Sequence, residues 1–329
     1  MTHVNTPIAI NRRQILWADT AMVFPLVGVA QIFPARPVRV IVPFPAGGGT
    51  DIIARILCQE MAKDLGQPFL VENRPGAGTV IGNDFVSKSP PDGHTLLLTT
   101  SAFSIVPSLT AKLPYASDSA FAPIALLGRA PNMIVVKADG RFKTLADVLT
   151  YAKANPGKLS YGSAGIGTSV HLAAELLKNS AKIFMTHIPY RGASPLITDL
   201  LGGQVDMGFA TMPSIAPFLT SGKLRAIAVT SSDRAPTWPD VPTVAESGIH
   251  GYQADVWYGV FSSSGTPPDI VAQLNSALKR AAQTEAFRKR VEAEGLATSV
   301  STPEKLGQLT HADELRWKKI VKAQGITAK

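Results

Sequence analysis

Val38-Arg39-Val40-Ile41-Val42-Pro43-Phe44-Pro45-Ala46-Gly47-Gly48-Gly49-Thr50-Asp51 decides the fold. Four of its first five residues are apolar and β-branched, as in a buried strand. The run breaks at two prolines and passes three glycines. Beyond Thr50-Asp51, Ile53, Leu57, Met61 and Leu65 recur at helical spacing. A strand that turns through glycines into a helix start gathers bare N–H groups and the positive end of a helix dipole at one point. That point suits a small anion.

Outward from this stretch, strand-like and helical runs alternate. The spacing predicts strands at Val38–Val42, Phe69–Glu72 and Thr95–Thr99, with helices at Ile52–Leu65 and Gly78–Lys88 between them. That β-α-β-α-β order implies a parallel sheet with right-handed crossovers. Ile124–Val136 reads as a long extended run interrupted near Gly128–Pro131, leaving one sheet for another. A second α/β unit follows, with helices at Thr144–Asn155, Ser169–Lys178, Pro195–Leu201 and Ile215–Ser221. Its strands are Leu159–Tyr161, Ile183–Pro189, Val205–Ala210 and Leu224–Thr230. Tyr252–Phe261 is a second long crossing back. Helices at Pro267–Thr284, Phe287–Glu294 and Thr302–Gln324 close the chain. The expected architecture is α/β, two lobes joined by a two-strand hinge that closes on a ligand. Each lobe is a mostly parallel sheet flanked by helices. Lobe 1 is residues 31–128 plus 256–329, and lobe 2 is the inserted 129–255.

The second lobe repeats the opening physics. Ser160-Tyr161-Gly162-Ser163-Ala164-Gly165-Ile166-Gly167-Thr168-Ser169-Val170-His171 is a short strand, three glycines, hydroxyls and a helix start. Thr168 or Ser169 caps that helix and exposes N–H groups. One Gly-rich loop is common in α/β proteins. Two, one per lobe, face each other across a cleft and grip a small anion from both sides.

Composition narrows the classes. The chain has 329 residues, 45% hydrophobic and 17% charged, enough for two domains. After residue 31 no apolar run reaches the roughly 20 residues of a membrane helix. Residues 1–30 read as an export signal, Sec or twin-arginine. Arg12-Arg13 form the basic region, Thr20–Ala30 the apolar stretch, and Gly28-Val29-Ala30 the cleavage site. A periplasmic location is expected. The net charge of +8 is scattered, and the basic Arg288-Lys289-Arg290 lies on an amphipathic helix, so nucleic acid is not a partner. The single Cys58 shares a helical face with Ala54, Met61 and Leu65, as a small buried apolar residue does.

Catalytic and cofactor motifs fail on inspection. The first loop lacks the Lys-Ser/Thr ending of a nucleotide loop and the spacing of a dinucleotide fingerprint. Gly162-Ser163-Ala164-Gly165 is one residue short of a nucleophile elbow. The six histidines show no metal-ligand spacing. No metal, cofactor or catalytic residue is therefore expected. The alternative from another class is a serine hydrolase using Ser163 or Ser101. Tyr190-Arg191-Gly192-Ala193 lies at the expected cleft edge, and Arg191 is of the type that pairs with a carboxylate. Ser101 ends a strand of the first lobe. His171 sits in the first turn of the second-loop helix. Asp206, on an apolar strand, needs hydrogen-bonding partners.

These residues carry a family resemblance. The run Arg36–Asp51 is similar to the opening of mature Bug-family proteins, the extracytoplasmic substrate-binding components of tripartite tricarboxylate transporters. The similarity continues through Val71–Gly78, Pro91–Leu97, Tyr161–Ala173, His187–Gly192, Gly202–Phe209, Leu224–Arg234 and Pro239–Gly248, in order. The resemblance implies a two-lobed periplasmic binding protein of type II-like, Venus-flytrap form, without catalysis. It further implies that backbone amides, hydroxyls and bridging water of the two loops hold a carboxylate. Those positions are Phe44, Ala46, Gly47, Gly48, Gly49 and Thr50, then Ser163, Ala164, Gly165, Gly167, Thr168 and Ser169. Ser101, Tyr190, Arg191 and Ala193 lie nearby, with His171 and Asp206 as outlying candidates. The implied ligands are di- and tricarboxylates, acidic amino acids or aromatic acids. The implied partners are permease subunits, or a sensor domain in a signalling role, with the protein itself a monomer. One departure concerns the pocket. After Gly78 the chain reads Thr79-Val80, where the family has a glycine and an asparagine.

Overall fold

Two mixed sheets, each flanked by helices, make up the computed structural model, which describes residues 1–3, 33–110, 112–293 and 295–326. The export signal read at residues 1–30 lies almost wholly outside these described residues. In the first sheet, β1 (Val38–Val42) runs parallel between β2 (Phe69–Asn73) and β3 (Thr95–Thr100). Val38, Ile41 and Val42 are fully buried, as a central strand covered on both faces requires. α1 (Gly49–Leu65) starts within the glycine run and ends at Gly66, which takes the left-handed conformation and donates its N–H to Ala62 O. A 3-10 turn (Ala77–Thr79) leads into α2 (Val80–Ser87).

β4 (Phe121–Ala130) leaves this sheet, Pro131 breaks the run, and β5 (Asn132–Lys137) enters the second sheet. Alternating elements follow: α4 (Leu145–Ala154), β6 (Ser160–Ser163), α5 (Ser169–Ala181), β7 (Thr186–Pro189), α6 (Ala193–Leu201), β8 (Met207–Thr211), α7 (Met212–Thr220) and β9 (Leu224–Val229). The second sheet has the order β7-β6-β8-β5-β9. The chain returns through β10 (Val256–Ser263), which pairs antiparallel with both β3 and β4. α8 (Pro268–Gln283), α9 (Glu285–Ala293), a short β11 (Ala297–Thr298) and α10 (Pro303–Gln324) then complete the first lobe.

The parallel expectation needs correcting at the crossings. β10 runs against its neighbours in one sheet and β5 against β8 and β9 in the other. One strand is reversed at each crossing, β10 in the first sheet and β5 in the second, while β4 keeps the sense of β1–β3 because it and β3 both run antiparallel to β10. α3 (Ala102–Leu109) was not anticipated. It carries Pro107 and is apolar nearly all round, so it shows no amphipathic period.

The crossings are tied side by side. Asn132 Nδ2 donates to Ala254 O at 2.7 Å, and Thr230 Oγ1 donates to the same carbonyl at 2.8 Å. Arg129 pairs with Asp255 at 2.8 Å. Trp257 of β10 donates its indole N–H to Asp313 of α10 at 3.0 Å, and burial raises the pKa of that carboxyl. Cys58 lies within the first core, and burial pushes its thiol up to about 12.

Candidate functional site

The first loop is held from behind. Asp51 accepts from Gly47 N and Arg55 Nε with one oxygen (2.9 Å each), and from Asn73 Nδ2 with the other (3.0 Å). Asn73 also reaches Phe44 O at 3.0 Å. Burial works against the Asp51 carboxylate, but these donors outweigh it and hold its pKa below the usual value. The second loop is built alike. Thr168 caps α5, accepting from His171 N and donating to Gly165 O at 2.7 Å. Gly167 N–H donates to His171 Nδ1 at 3.3 Å, so that ring is neutral with its other nitrogen protonated.

Behind the second loop lies a ring stack that sequence spacing did not reveal. His187 stacks on His171 (4.5 Å between centroids) and on Tyr161 (4.7 Å). Its Nε2 lies 2.7 Å from Ser163 Oγ, which in turn accepts from Gly165 N. Tyr161 donates to Glu175, which pairs with Lys178. Burial pushes His171 down to about 4 and His187 down to about 3. The stack therefore props the loop with neutral rings.

The lobes meet across the cleft. Gly49 N–H donates to Ser214 Oγ at 3.0 Å. A Cβ at Gly49 would lie 2.8 Å from Thr211 Oγ1, and one at Gly192 would lie 2.7 Å from Pro45. Gly192 also takes φ +124 to turn β7 into α6, so glycine is needed there twice over.

Between the loops sits an inner cavity of about 40 Å³. A water-sized group needs on the order of 10–15 Å³, so it holds a carboxyl-sized head and little more. The first residues of α1, α5 and α6 form its walls, with Thr211 at the end of β8 and Ser214 from α7. Helix-starting N–H groups have no intrahelical acceptor. Among the described residues, the main-chain N–H groups of Thr50, Ser169, Val170, Ala193 and Ser194 find no other acceptor, and all five residues are on this wall. No charged side chain lines it. Each helix end adds about half a positive charge. Helix dipoles without any charged side chain on the wall are an arrangement that suits an anion.

An outer cavity of about 720 Å³ opens beside it and shares Phe44, Pro45, Ala164 and Thr168 with the inner one. Gly165, Gly167, Tyr190 and Arg191 line it, as does the Pro75–Thr79 turn. Thr79 takes φ +97, an outlying conformation for a β-branched residue.

The structure brings Phe44, Gly48, Gly49, Thr50, Ala164, Thr168, Ser169 and Ala193 to the inner wall. Ala46 and Gly47 are exposed and on neither wall, because Asp51 pins Gly47 to the back of the loop. Ser163, Ser101 and His171 are buried and on neither wall. Asp206 lies just before β8. It accepts from Ser160 N (2.8 Å) and Arg141 (2.8 Å), a clamp between β6 and β8 away from the cleft. Thr100, the strand-end hydroxyl beside Ser101, is on the inner wall, and Ser194, Thr211 and Ser214 are further wall residues that the sequence did not single out. They belong to strand ends and helix starts without a glycine signal, and only the lobe contact assembles them. Among the described residues no cluster of metal-ligating side chains occurs.

Two α/β lobes, a paired hinge and a cavity walled by helix N-termini are the architecture of a two-lobed solute-binding protein. The chain belongs to the tripartite tricarboxylate transporter family receptors, whose match spans residues 53–326. It is 41% identical over 290 residues to a UPF0065 protein in the tcbD-tcbE intergenic region of Pseudomonas sp. (strain P51), covering 88% of this chain and 86% of that one. The solved periplasmic binding protein BugD superposes with TM-score 0.85 at 36% identity, over 90% of this chain and 99% of BugD. Two solved proteins of Rhodopseudomonas palustris agree. MatC with bound malate gives 0.82 at 35% identity (88% and 100% covered), and Rpa4515 with adipate gives 0.86 at 31% (90% and 99% covered). The protein is a periplasmic transport receptor and not an enzyme. Nothing supports the serine-hydrolase alternative. Ser163 pairs with a histidine that no carboxylate orients among the described residues, off both cavity walls.

Proposed function

We propose that the inner cavity seats a ligand carboxylate, and that the closed cleft carries a small organic acid to the membrane permease subunits of a tripartite transporter. The carrying observation is the set of unpaired N–H groups from three helix starts on one small wall without any charged side chain. A carboxylate fills that acceptor deficit and brings the charge the dipoles favour. Malate and adipate in two solved relatives fit this reading. Fixed dipoles cost little reorganisation on binding. The proposed seat comprises Gly48, Gly49, Thr50, Thr168, Ser169, Ala193 and Ser194, with Phe44, Tyr190 and Arg191 toward the outer cavity. Residues 31–128 plus 256–329 and residues 129–255 act as the two jaws, with residues 1–30 directing export of a monomer.

A thermal-shift screen of small organic acids against their primary amides tests this. Binding to the native state raises the melting temperature by mass action. Acids are expected to raise it and amides to leave it unchanged. Equal shifts for both sink the carboxylate seat.

A further inference from the structure

The two cavities differ in chemistry, and the difference narrows the acid. The inner cavity takes one anionic head. The outer cavity is walled by Pro43, Pro75, Val106, Leu109, Ile166 and the ring of Tyr190. Thr79, Thr110, Thr168 and Tyr190 bring hydroxyls to that wall, and three of them are already engaged, Thr79 Oγ1 by accepting from Asn83 Nδ2 at 3.2 Å. Tyr190 donates its hydroxyl to Asp199 at 2.8 Å, and Thr168 donates to Gly165 O at 2.7 Å. Arg191 is the one charged side chain on the wall, and it is exposed. An exposed arginine returns little for a second carboxylate, whereas stripping that carboxylate of water among proline, valine and leucine is costly. Apolar surface placed there gains in proportion to the area covered.

We infer that the acid carried by this protein has one carboxylate and an apolar body, an aromatic ring or a hydrocarbon chain, in place of a second carboxylate. The inference rests on the inner cavity being the carboxylate seat. Arg191 then steers acids toward the mouth and does not clamp them.

Calorimetric titration of the full chain tests it, with 3-phenylpropanoate, octanoate, malate, adipate and 3-phenylpropanamide as probes. At least one of the first two is expected to bind roughly tenfold or more tighter than malate and adipate, with no binding of the amide. Ile166→Arg puts a cation on the apolar wall. It is expected to invert the order, weakening the apolar acids and strengthening adipate, at an unchanged melting temperature. Malate or adipate binding as tightly as both apolar acids in the unmodified protein overturns this inference and leaves the carboxylate seat standing. Failure of all four acids, or equal binding of the amide and its acid, overturns the seat and the inference together. The unmodified protein alone decides these outcomes if Ile166→Arg does not fold.

Discussion

At the residue scale, Thr79 and Asp51 set the loops' shape by opposite means. Thr79 is strained at φ +97, which costs about 1–3 kcal/mol, while glycine would lose about 0.5–1 kcal/mol of chain entropy there. Thr79→Gly relieves that strain but also deletes the buried hydroxyl that accepts from Asn83 Nδ2 at 3.2 Å, worth about 0.5–1.5 kcal/mol, so stability read from the denaturation midpoint is expected to change by less than about 1 kcal/mol. A loss of about 2 kcal/mol or more refutes the strain argument. Asp51 is paired on both oxygens, and its role was only partly legible. The sequence placed it at a helix start, but Asn73 and Arg55 as its partners emerge only when β2 lies beside β1. Arg191 was legible as a cleft-edge residue because it follows a strand and precedes a helix. Ser101 fits the same rule and yet lines neither cavity, since α3 begins there and buries it. Position at a strand end fixes a residue's height in the sheet but not the direction of its side chain.

At the element scale, α5 depends on a histidine stack that no local pattern announces. His187 lies 24 residues from Ser163, and only the parallel β6–β7 register, which sets Tyr161 against His187, brings it in. The stack gives the protein a pH dependence of definite sign. An unfolded histidine takes a proton near pH 6.5, while His171 and His187 stay neutral in the fold down to about 4 and about 3. Between these limits the unfolded state binds more protons, so stability falls as pH falls. Urea midpoints measured at pH 7, 5.5 and 4.5 should decline in that order, and His171→Asn should flatten the decline. Imidazole NMR titrations with both midpoints above pH 6 contradict the buried neutral stack. The helix α4 offers a simpler case. The spacing predicts this helix from Thr144, and the structure makes Thr144 its N-cap, with the full capping box to Asp147. Thr144→Ala should cost about 1 kcal/mol of stability and leave ligand binding intact.

At the scale of the whole molecule, most of the fold was readable because each apolar run is long enough to decide between strand and helix. The two crossings were readable for the same reason. Their antiparallel sense was not, because direction within a sheet depends on where the chain re-enters and not on local composition. The inner cavity was half-readable. Its glycine-marked walls stood out, whereas Thr211 and Ser214 are delivered by the opposing lobe. Their approach to Gly49 defines closure. Gly49→Val places a side chain 2.8–2.9 Å from Thr211 and Pro213. Valine is compatible with the α1 backbone there, so the lobes themselves should fold normally. The variant is expected to remain open, with small-angle scattering showing no ligand-induced compaction and affinity reduced roughly tenfold or more. Compaction equal to that of the unmodified protein would show that closure does not pass through this contact.

The central claim is that main-chain N–H groups at helix starts hold a carboxylate. Ala193 is the first residue of α6, a position that accepts proline readily, so Ala193→Pro removes one N–H from the inner wall and keeps the helix. A hydrogen bond to a charged group is worth about 1.5–3 kcal/mol. Calorimetric titration with the tightest acid from the screen should therefore show Ala193→Pro binding roughly tenfold to hundredfold weaker than Ala193→Gly, at a similar melting temperature. Equal affinity in the two variants would contradict the account.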